Sequence, residues 1–485
     1  MKLNVPKETE IIARTLSKKG FQAYLVGGCV RDLVLDKDPK DWDIATDATP
    51  EQIQELFEDS VYENEFGTVG VKTDSEDPAL KVLEVTTFRK EGGYSDKRHP
   101  DEVKFAKTIE EDLTRRDFTI NAMALDLVKA GELVDPHKGQ DDLDSKLVRT
   151  VGRPDERFGE DALRLMRAVR FAVELEFEVE ENTAGAVAKL SDSLKDIAME
   201  RAQDELKKII MSDGAARGVQ MLEDLGLLKH IIPELREGIG CEQNLHHIYT
   251  VWEHNLRALD YAVSKGYSLE IRLAAMLHDV GKPKTKRGEG KNSTFYGHEV
   301  VGARITKSIM NRLRFSGDVA DNVVHLVRYH LFYYNVGEVS EAGVRRFLAR
   351  VGPENIDDLI KIREADRIGS GVPKAKPYKI RHLLFMIDKV KRDPISPKML
   401  KVSGDDIIKI LGTAPGPRVG WILSALMDEV LEEPKKNTKK GLGIRIEELG
   451  KMSDEELQEL GKQGKEKIDE AEKGVEGDIK KKHGV

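Results

Sequence analysis

Asp41 and Asp43 stand two apart in Asp41-Trp42-Asp43, just downstream of the pair Gly27-Gly28 and of Arg31-Asp32. Side chains alternate faces along a strand, so two carboxylates spaced this way leave the same face. Paired carboxylates hold divalent cations, and a glycine turn lets backbone approach phosphate oxygens. The stretch Tyr24–Thr46 therefore suggests a metal and nucleoside-triphosphate site. Asp-x-Asp alone is commonly a solvated pair, and Gly-Gly alone commonly a turn. Their combination, in this order, carries the reading.

Three further strings bear chemistry. Arg115-Arg116-Asp117 opens a segment running Phe118-Thr119-Ile120-Asn121, and Arg157–Phe171 is rich in arginine. On a helix, Arg164 and Arg167 would lie about 60° apart, and Asp161 about 60° to the other side of Arg164. Ala162, Leu165, Met166 and Val169 would form the opposite, core face. Downstream, His254, His278-Asp279, His298, His330 and Asp366 form an ordered set of imidazoles and carboxylates. Such ligands suit Zn²⁺, Mn²⁺, Ni²⁺ or Fe²⁺. A single histidine on an apolar helix is more often packed than ligating; the ordered set is far more specific.

The elements that position these residues follow from periodicity. Tyr24–Val26, Val69–Lys72, Leu80–Phe88 and Glu132–Val134 read as strands, and Asp41-Trp42-Asp43 as part of another. Leu163–Ala172, Ala184–Leu190, Glu200–Met211 and Ala215–Leu227 carry helical spacing, and strand signals fade from about Pro154. An α+β head thus precedes a long all-helical part, with no internal repeat. Arg89–Val103 reads as a soluble loop, because Gly92-Gly93 and Pro100 disfavour regular structure. The turns Val402–Asp406 and Leu411–Gly420 either offer N–H groups to phosphates or simply cap helices. From Pro434 the chain is rich in Lys, Glu and Gly; it predicts a charged, partly mobile extension, helical at Asp454–Leu460.

The 485 residues suffice for several domains, and 34% charged with 6% aromatic residues fits a helix-rich protein with much solvated surface. No apolar run is long enough for a membrane span, and the N-terminal residues lack a signal-peptide core. Two cysteines, Cys29 and Cys241, give no disulfide framework, which fits a reducing, cytoplasmic setting. Cys29 reads as a small residue beside the glycine turn. A net charge of −9 argues against a general nucleic-acid binder, although local Lys and Arg placement can still form a groove.

The strand, Gly-Gly, Arg31-Asp32 and Asp-x-Asp together resemble the nucleotidyltransferase core of the DNA polymerase beta superfamily. With the later motifs the chain resembles class II tRNA nucleotidyltransferases (CCA-adding enzymes) and the related bacterial poly(A) polymerases over roughly Phe21–Glu433. The resemblance implies a polymerase-beta-like head followed by an elongated all-helical neck, body and HD-containing tail. It implies template-independent addition or repair of the tRNA 3′-terminal CCA from CTP and ATP, with pyrophosphate released by a two-metal mechanism using Mg²⁺. Asp41 and Asp43 would hold the metal. Glu84 would be a third carboxylate from an adjacent strand, or else an outward-facing strand residue. Gly28 and Arg31 would meet the triphosphate; Arg116, with Arg115, would contact the nucleotide, and Asp117 would brace the site. Asp161 and Arg164 would read the incoming base, Glu160 position it, and Arg167 and Arg170 contact the nucleotide. The segment Arg89–Val103 matches a loop that helps such enzymes proceed to adenosine addition.

The histidine set resembles the HD phosphohydrolase superfamily. His254, His278, Asp279 and Asp366 would hold one transition-metal ion; His298 and His330 would hold a second or contact phosphate. Phosphodiesterase or phosphatase action on RNA ends is one implication, and a helical domain that retains the motif for packing or tRNA binding is another. The expected organisation is residues 1–150 head, 151–235 neck and body, 236–370 HD domain, 371–433 tRNA-binding tail and 434–485 extension, in a monomer or homodimer. The alternatives are a poly(A) polymerase, an A-adding-only enzyme, or an RNA-end phosphohydrolase acting mainly through the HD site. Tyr62–Val69 lacks the Gly-Arg-Arg-Phe-type stretch of poly(A) polymerases.

Overall fold

The computed structural model describes the chain except residues 1–3, 65–66, 93–101, 129–130, 245–247, 392, 395 and 461–485. Contacts divide it into two units. The first is Met1–Cys241 with Val263–Leu273 and Ile305–Ala320; the second is Glu242–Ala262, Ala274–Arg304 and Asp321 onward.

The first unit is built on a seven-stranded mixed sheet. Its strands in chain order are β1 (Ala23–Val26), β2 (Asp43–Thr46), β3 (Ser60–Asn64), β4 (Thr68–Lys72), β5 (Val82–Thr87), β8 (Ala124–Asp126) and β9 (Leu133–Val134), with β6 (Arg89–Gly92) and β7 (Glu102–Phe105) forming a separate ribbon. The spatial order is β3-β4-β5-β2-β1-β8-β9. β1 is an interior strand, between β2 and β8, as suits Ala23–Val26, which is apolar and buried on both faces. β2 runs antiparallel to β1 and parallel to β5, with Asp43 opposite Glu84. One face packs Tyr24, Val26, Ala45 and Phe88 against Ile109 and Leu113 of the helix Ile109–Thr114.

Two expectations need correction here. β2 begins at Asp43, and Asp41 lies in a bend before it, so Asp41-Trp42-Asp43 is not a strand throughout. The face alternation survives nonetheless, with Trp42 buried between an exposed Asp41 and a half-buried Asp43. The segment Arg89–Val103 is not irregular throughout, since its two ends lie in β6 and β7, which pair antiparallel from Arg89↔Phe105 to Gly92↔Glu102. Its tip, residues 93–101, falls outside the described residues.

After β10 (Leu147–Val148) the first unit is helical, apart from β11 (Glu178–Val179), which pairs parallel with β10. The helix Leu163–Leu175 buries Leu165, Met166, Ala168, Val169 and Ala172 against the helices Met199–Met211 and Ala215–Asp224. The helical spacing expected for these three segments is what the chain adopts.

The second unit is mainly helical, with one isolated antiparallel bridge, Arg287↔Thr294, among its described residues. Val251–Ser264, Leu269–Leu277, His298–Arg312, Gly317–Tyr329 and Ile356–Gly369 supply its polar core, and Tyr378–Val390, Gly404–Leu411, Pro417–Glu432 and Lys439–Leu449 follow. The Ser403 turn is a helix cap: its hydroxyl accepts from Asp406 N, and the Asp406 carboxylate reaches back to Ser403 N at 2.8 Å. Gly412 ends that helix in the left-handed region, φ 62°. The capping reading of both turns therefore holds. Residues 454–460 are helical, as expected, while the rest of the extension, from 461, lies outside the described residues.

Candidate functional site

A cleft of about 1100 Å³ opens at the C-terminal end of β1. It is lined by Gly27, Gly28, Arg31, Asp41, Asp43, Arg115, Arg116, Asp117, Asp161, Arg164, Arg167 and Arg170 among others. The residues singled out in the sequence thus converge, with two exceptions: Glu84 and Glu160 are not among the lining residues. Glu84 is exposed, yet as the register partner of Asp43 on a neighbouring parallel strand its side chain leaves the same face of the sheet.

Glycine is needed at Gly27 more than at Gly28. Gly27 has φ 78°, and a Cβ there would sit 3.0 Å from Arg116 Nη1 and 3.8 Å from Asp43 Oδ2. The first glycine therefore lets the backbone cross under the Asp43–Arg116 pair. Burial lifts the Asp43 carboxyl above its ordinary range; Arg116 pulls it down and Asp41 adds to the lift. Two carboxylates crowded at a partly dehydrated position are relieved by a divalent cation, so the donor set fits one. Cys29, 2% exposed, has its thiol pushed up to about 11 chiefly by burial, which suits the small-packing role and not a nucleophile.

The arginines are held by carboxylates that the sequence reading passes over or assigns differently. Asp112 is 1% exposed and accepts from Arg115 Nε at 2.9 Å and Arg116 Nη2 at 3.2 Å. Burial opposes its ionisation, but the two guanidiniums hold its carboxyl below the usual range. Asp117 accepts instead from Arg167 Nε at 2.7 Å and from Phe118 N at 2.9 Å. Arg31 bonds Asp32 Oδ1 and Asn121 Oδ1, each at 2.9 Å. Phe171 is the floor beneath three guanidiniums, with Arg31, Arg167 and Arg170 carbons at 5.6, 5.1 and 4.3 Å from its ring centroid. Arg170 is buried and bonds Glu205 Oε1 at 3.2 Å.

The helical-wheel placement of Asp161 does not hold. The helix Pro154–Glu160 ends before it, Asp161 is extended (φ −141°), and a new helix begins at Leu163. Asp161 Oδ1 accepts from Leu163 N at 2.9 Å and Oδ2 from Arg201 Nη2 at 2.8 Å. Aspartate is a favoured residue where a helix starts, and that preference breaks the string in two. Asp161 and Arg164 still line the same cleft. Arg164 Nη1 bonds the Arg157 carbonyl at 3.0 Å and the Glu160 carboxylate, which also takes Arg157 Nη1 at 2.9 Å. Glu160 thus positions Arg164 from behind the cleft wall.

In the second unit His254, His278, Asp279, His298, His330 and Asp366 come together, all buried. Their ligand atoms form two sets, His254 with His278 and Asp366, and Asp279 with His298 and His330, each within 4.8 Å. Asp279 also joins the first set. Its Oδ2 lies 3.2 Å from His254 Nε2 and 3.3 Å from His278 Nε2, while Oδ1 lies 3.3 Å from His298 Nε2 and 3.7 Å from His330 Nε2. Ring Nδ1 atoms of His278, His298 and His330 sit 2.8, 2.8 and 2.7 Å from the carbonyls of Ala275, Phe295 and Val327. A carbonyl only accepts, so each Nδ1 carries the proton and each Nε2 turns a lone pair inward. His254 and His278 Nε2 are 2.9 Å apart, a contact that needs a shared proton or a bound cation. Without a cation, burial opposes the charge on His254, but Asp279 and Asp366 outweigh it and carry its pKa up to about 9. The set fits metal ions. Gly281 permits it: a Cβ there would lie 2.2 Å from the His298 carbonyl and 2.6 Å from Gly302 N.

Comparison with known proteins agrees with this anatomy. Residues 23–149 match the poly A polymerase head domain, 176–239 a probable RNA and SrmB-binding site of polymerase A, and 251–370 the HD domain. A CCA-adding enzyme of Enterococcus faecalis is 31% identical over 448 residues, covering 90% of this chain and 94% of that protein. An A-adding tRNA nucleotidyltransferase of Deinococcus radiodurans is 37% identical over 341 residues, covering 68% of this chain and 76% of its own. The crystal structure of the Bacillus stearothermophilus CCA-adding enzyme in complex with CTP superposes with a TM-score of 0.68 at 27% identity, over 91% of this chain and 96% of that one.

Proposed function

The chain belongs to the class II tRNA nucleotidyltransferase (CCA-adding enzyme) and poly(A) polymerase family, with an HD domain, and we propose that it builds or repairs the tRNA 3′-terminal CCA from CTP and ATP. The observation that carries this is the single cleft that gathers Asp41, Asp43, Arg116, Asp161 and Arg164. Head and HD domain both imply divalent metal use. Asp41 and Asp43 would hold Mg²⁺ in the head, with Glu84 on the same face as a third carboxylate. The ion, when bound, lowers the pKa of the tRNA 3′-hydroxyl and neutralises the departing pyrophosphate.

The protein's own residues do the rest. Arg31 and Arg116 offer guanidinium forks to triphosphate oxygens, and Gly28 leaves room for them. Arg115 and Arg170 complete the positive wall, and Asp117 locks Arg167 in place. Asp161 accepts from the amino group of C or A, and Arg164 donates to the neighbouring ring nitrogen. Asp161 already accepts from Leu163 N and Arg201. A carboxylate has about four acceptor sites, so an amino group can still join. G and U offer no such pattern, and no nucleic-acid template is required.

We read residues 1–150 as the catalytic head, 151–235 as neck and body, 236–370 as the HD domain, 371–433 as a tRNA-binding tail and 434–485 as a charged extension. His254, His278, Asp279 and Asp366 would hold a transition-metal ion with His298 and His330 beside it, for hydrolysis of phosphate esters at RNA ends. No described helix is long and apolar enough to cross a membrane. With only two cysteines in the sequence, the enzyme suits the cytoplasm.

The test separates the two centres. Asp41→Ala with Asp43→Ala abolishes nucleotide incorporation and spares metal-dependent phosphodiesterase activity; His278→Ala with Asp279→Ala does the reverse. Incorporation that survives the first pair of substitutions would remove the head assignment.

A further inference from the structure

The helix Tyr378–Val390 buries Ile380, Leu383, Ile387 and Val390 on one side. On the opposite side, at positions i, i+4 and i+7, stand Tyr378, His382 and Phe385. Tyr378 and Phe385 are 61% and 62% exposed, a large outlay of aromatic surface for a chain with so few aromatic residues. The rings form a row: His382 lies 5.8 Å from Tyr378, 6.0 Å from Phe385 and 5.9 Å from Tyr334 between centroids. Tyr334 OH bonds His382 Nδ1 at 2.5 Å, which fixes the histidine ring in the row.

Charge along this segment is opposite to that of the whole chain. Residues 374–391 hold six lysines and arginines against one acidic residue, in a protein of net charge −9. Lys376 pairs with Glu364 at 2.9 Å and Lys389 pairs with Glu341. Lys374, four residues before Tyr378, and Arg381, three residues after it, are exposed and make no ion pair among the described residues. A short path of residues links the row to the histidine–aspartate cluster. Tyr334 follows the cluster residue His330 by one short segment, in which Phe332 lies 5.8 Å from the Arg363 guanidinium. Arg363 in turn bonds Asp366 Oδ2 at 2.6 Å.

We propose that Tyr334, Tyr378, His382 and Phe385 form a stacking platform for unpaired bases of a single-stranded RNA, with Lys374 and Arg381 on its phosphates and its end directed to the histidine–aspartate cluster. Stacking on exposed rings is indifferent to base identity, and a basic border follows the backbone, which is what a strand end of varied sequence requires. Protein interfaces also enrich aromatic rings but are depleted in lysine, so the lysine-rich border of this face favours an RNA backbone. The proposal narrows the HD reading to single-stranded RNA ends over free mononucleotides, and it rests on that reading for its destination.

The test uses the full chain and a short single-stranded RNA carrying 4-thiouridine. Photocrosslinks mapped by mass spectrometry fall on Tyr378 or Phe385. Tyr378→Ala with Phe385→Ala removes them and weakens binding, measured by fluorescence anisotropy, roughly tenfold for each stacked base lost. Tyr378→Phe with Phe385→Tyr keeps both signals, which separates stacking from a folding defect. Crosslinks confined to other elements, with affinity unchanged in the double alanine variant, would overturn the platform. So would a shift in oligomeric state by light scattering with RNA binding intact, because the face would then be a protein interface. Hydrolysis of bis(p-nitrophenyl) phosphate by the parent chain with added Mn²⁺ reports on the cluster separately. Its absence removes the phosphohydrolase reading and the strand's destination, while the crosslinks still decide the platform.

Discussion

Replacing Asp112 by asparagine removes one charge and almost no volume. The carboxylate accepts from Arg115 Nε at 2.9 Å, from Arg116 Nη2 at 3.2 Å and from Arg89 N at 3.2 Å. An amide has a single acceptor oxygen, so at least one guanidinium loses its partner and faces an NH₂ group instead. A hydrogen bond to a charged group contributes about 1.5–3 kcal/mol net. Arg115 and Arg116 are 16% and 19% exposed, so solvent screens part of this and the lower end applies, about 1.5–2 kcal/mol. That corresponds to a roughly 10–30-fold loss in kcat/KM for the nucleotide. The assay is steady-state incorporation of labelled ATP and CTP into tRNA lacking CCA, with Asp112→Asn, Arg116→Ala and the double variant. If Asp112 acts by aiming Arg116, the double variant is no slower than Arg116→Ala alone. Losses that multiply would refute the reasoning and leave Asp112 as a fold residue only.

Three other outcomes are expected. Gly281→Ala drives a methyl into the His298 carbonyl, 2.2 Å away, so metal retained by the second unit, measured by elemental analysis, falls by at least half while nucleotide incorporation persists. Asp161→Ala removes the carboxylate that accepts the base amino group; discrimination of CTP and ATP against UTP and GTP, measured by competition, relaxes by roughly 10–100-fold. Asp112 and Asp117 have carboxyls held below the ordinary range by their arginines despite burial. Their ion pairs therefore stabilise the head above the unfolded carboxyl pKa of about 4, and that contribution is lost as pH falls through the lower folded values. Acid titration followed by the fluorescence of the buried Trp42, with Trp252 and Trp421 replaced by phenylalanine, shows the head holding to below about pH 4, and Asp117→Asn flattens the dependence.

The sequence makes the architecture legible because its periodicities are strong. The run Tyr24–Val26, the alternation of Leu80–Phe88 and the apolar spacing of Leu163–Ala172 each become the expected element. What it hides is partnership across long separations. Asp112 sits in Glu110-Glu111-Asp112, which looks like ordinary solvated charge at a helix start, yet Asp112 is buried and the two glutamates are not. Arg201 meets Asp161 from forty residues away, and nothing in its own helix marks it. The continuous helix drawn through Arg157–Phe171 fails because a side-chain acceptor at Asp161 competes with the helical backbone, a local preference that overrides the wheel. The histidine order is readable in one dimension. That Asp279 gives one oxygen to each of two ligand sets appears only when Gly281 lets the His298 backbone come within a Cβ's width.

The central claim is tested most directly by sequencing the 3′ extension this protein makes on tRNA ending before CCA, after C and after CC, with CTP and ATP both present and Mg²⁺ supplied. The account predicts completion to CCA from all three starts, stopping there. Long A tails, or addition only to the tRNA that already ends in CC, would contradict it.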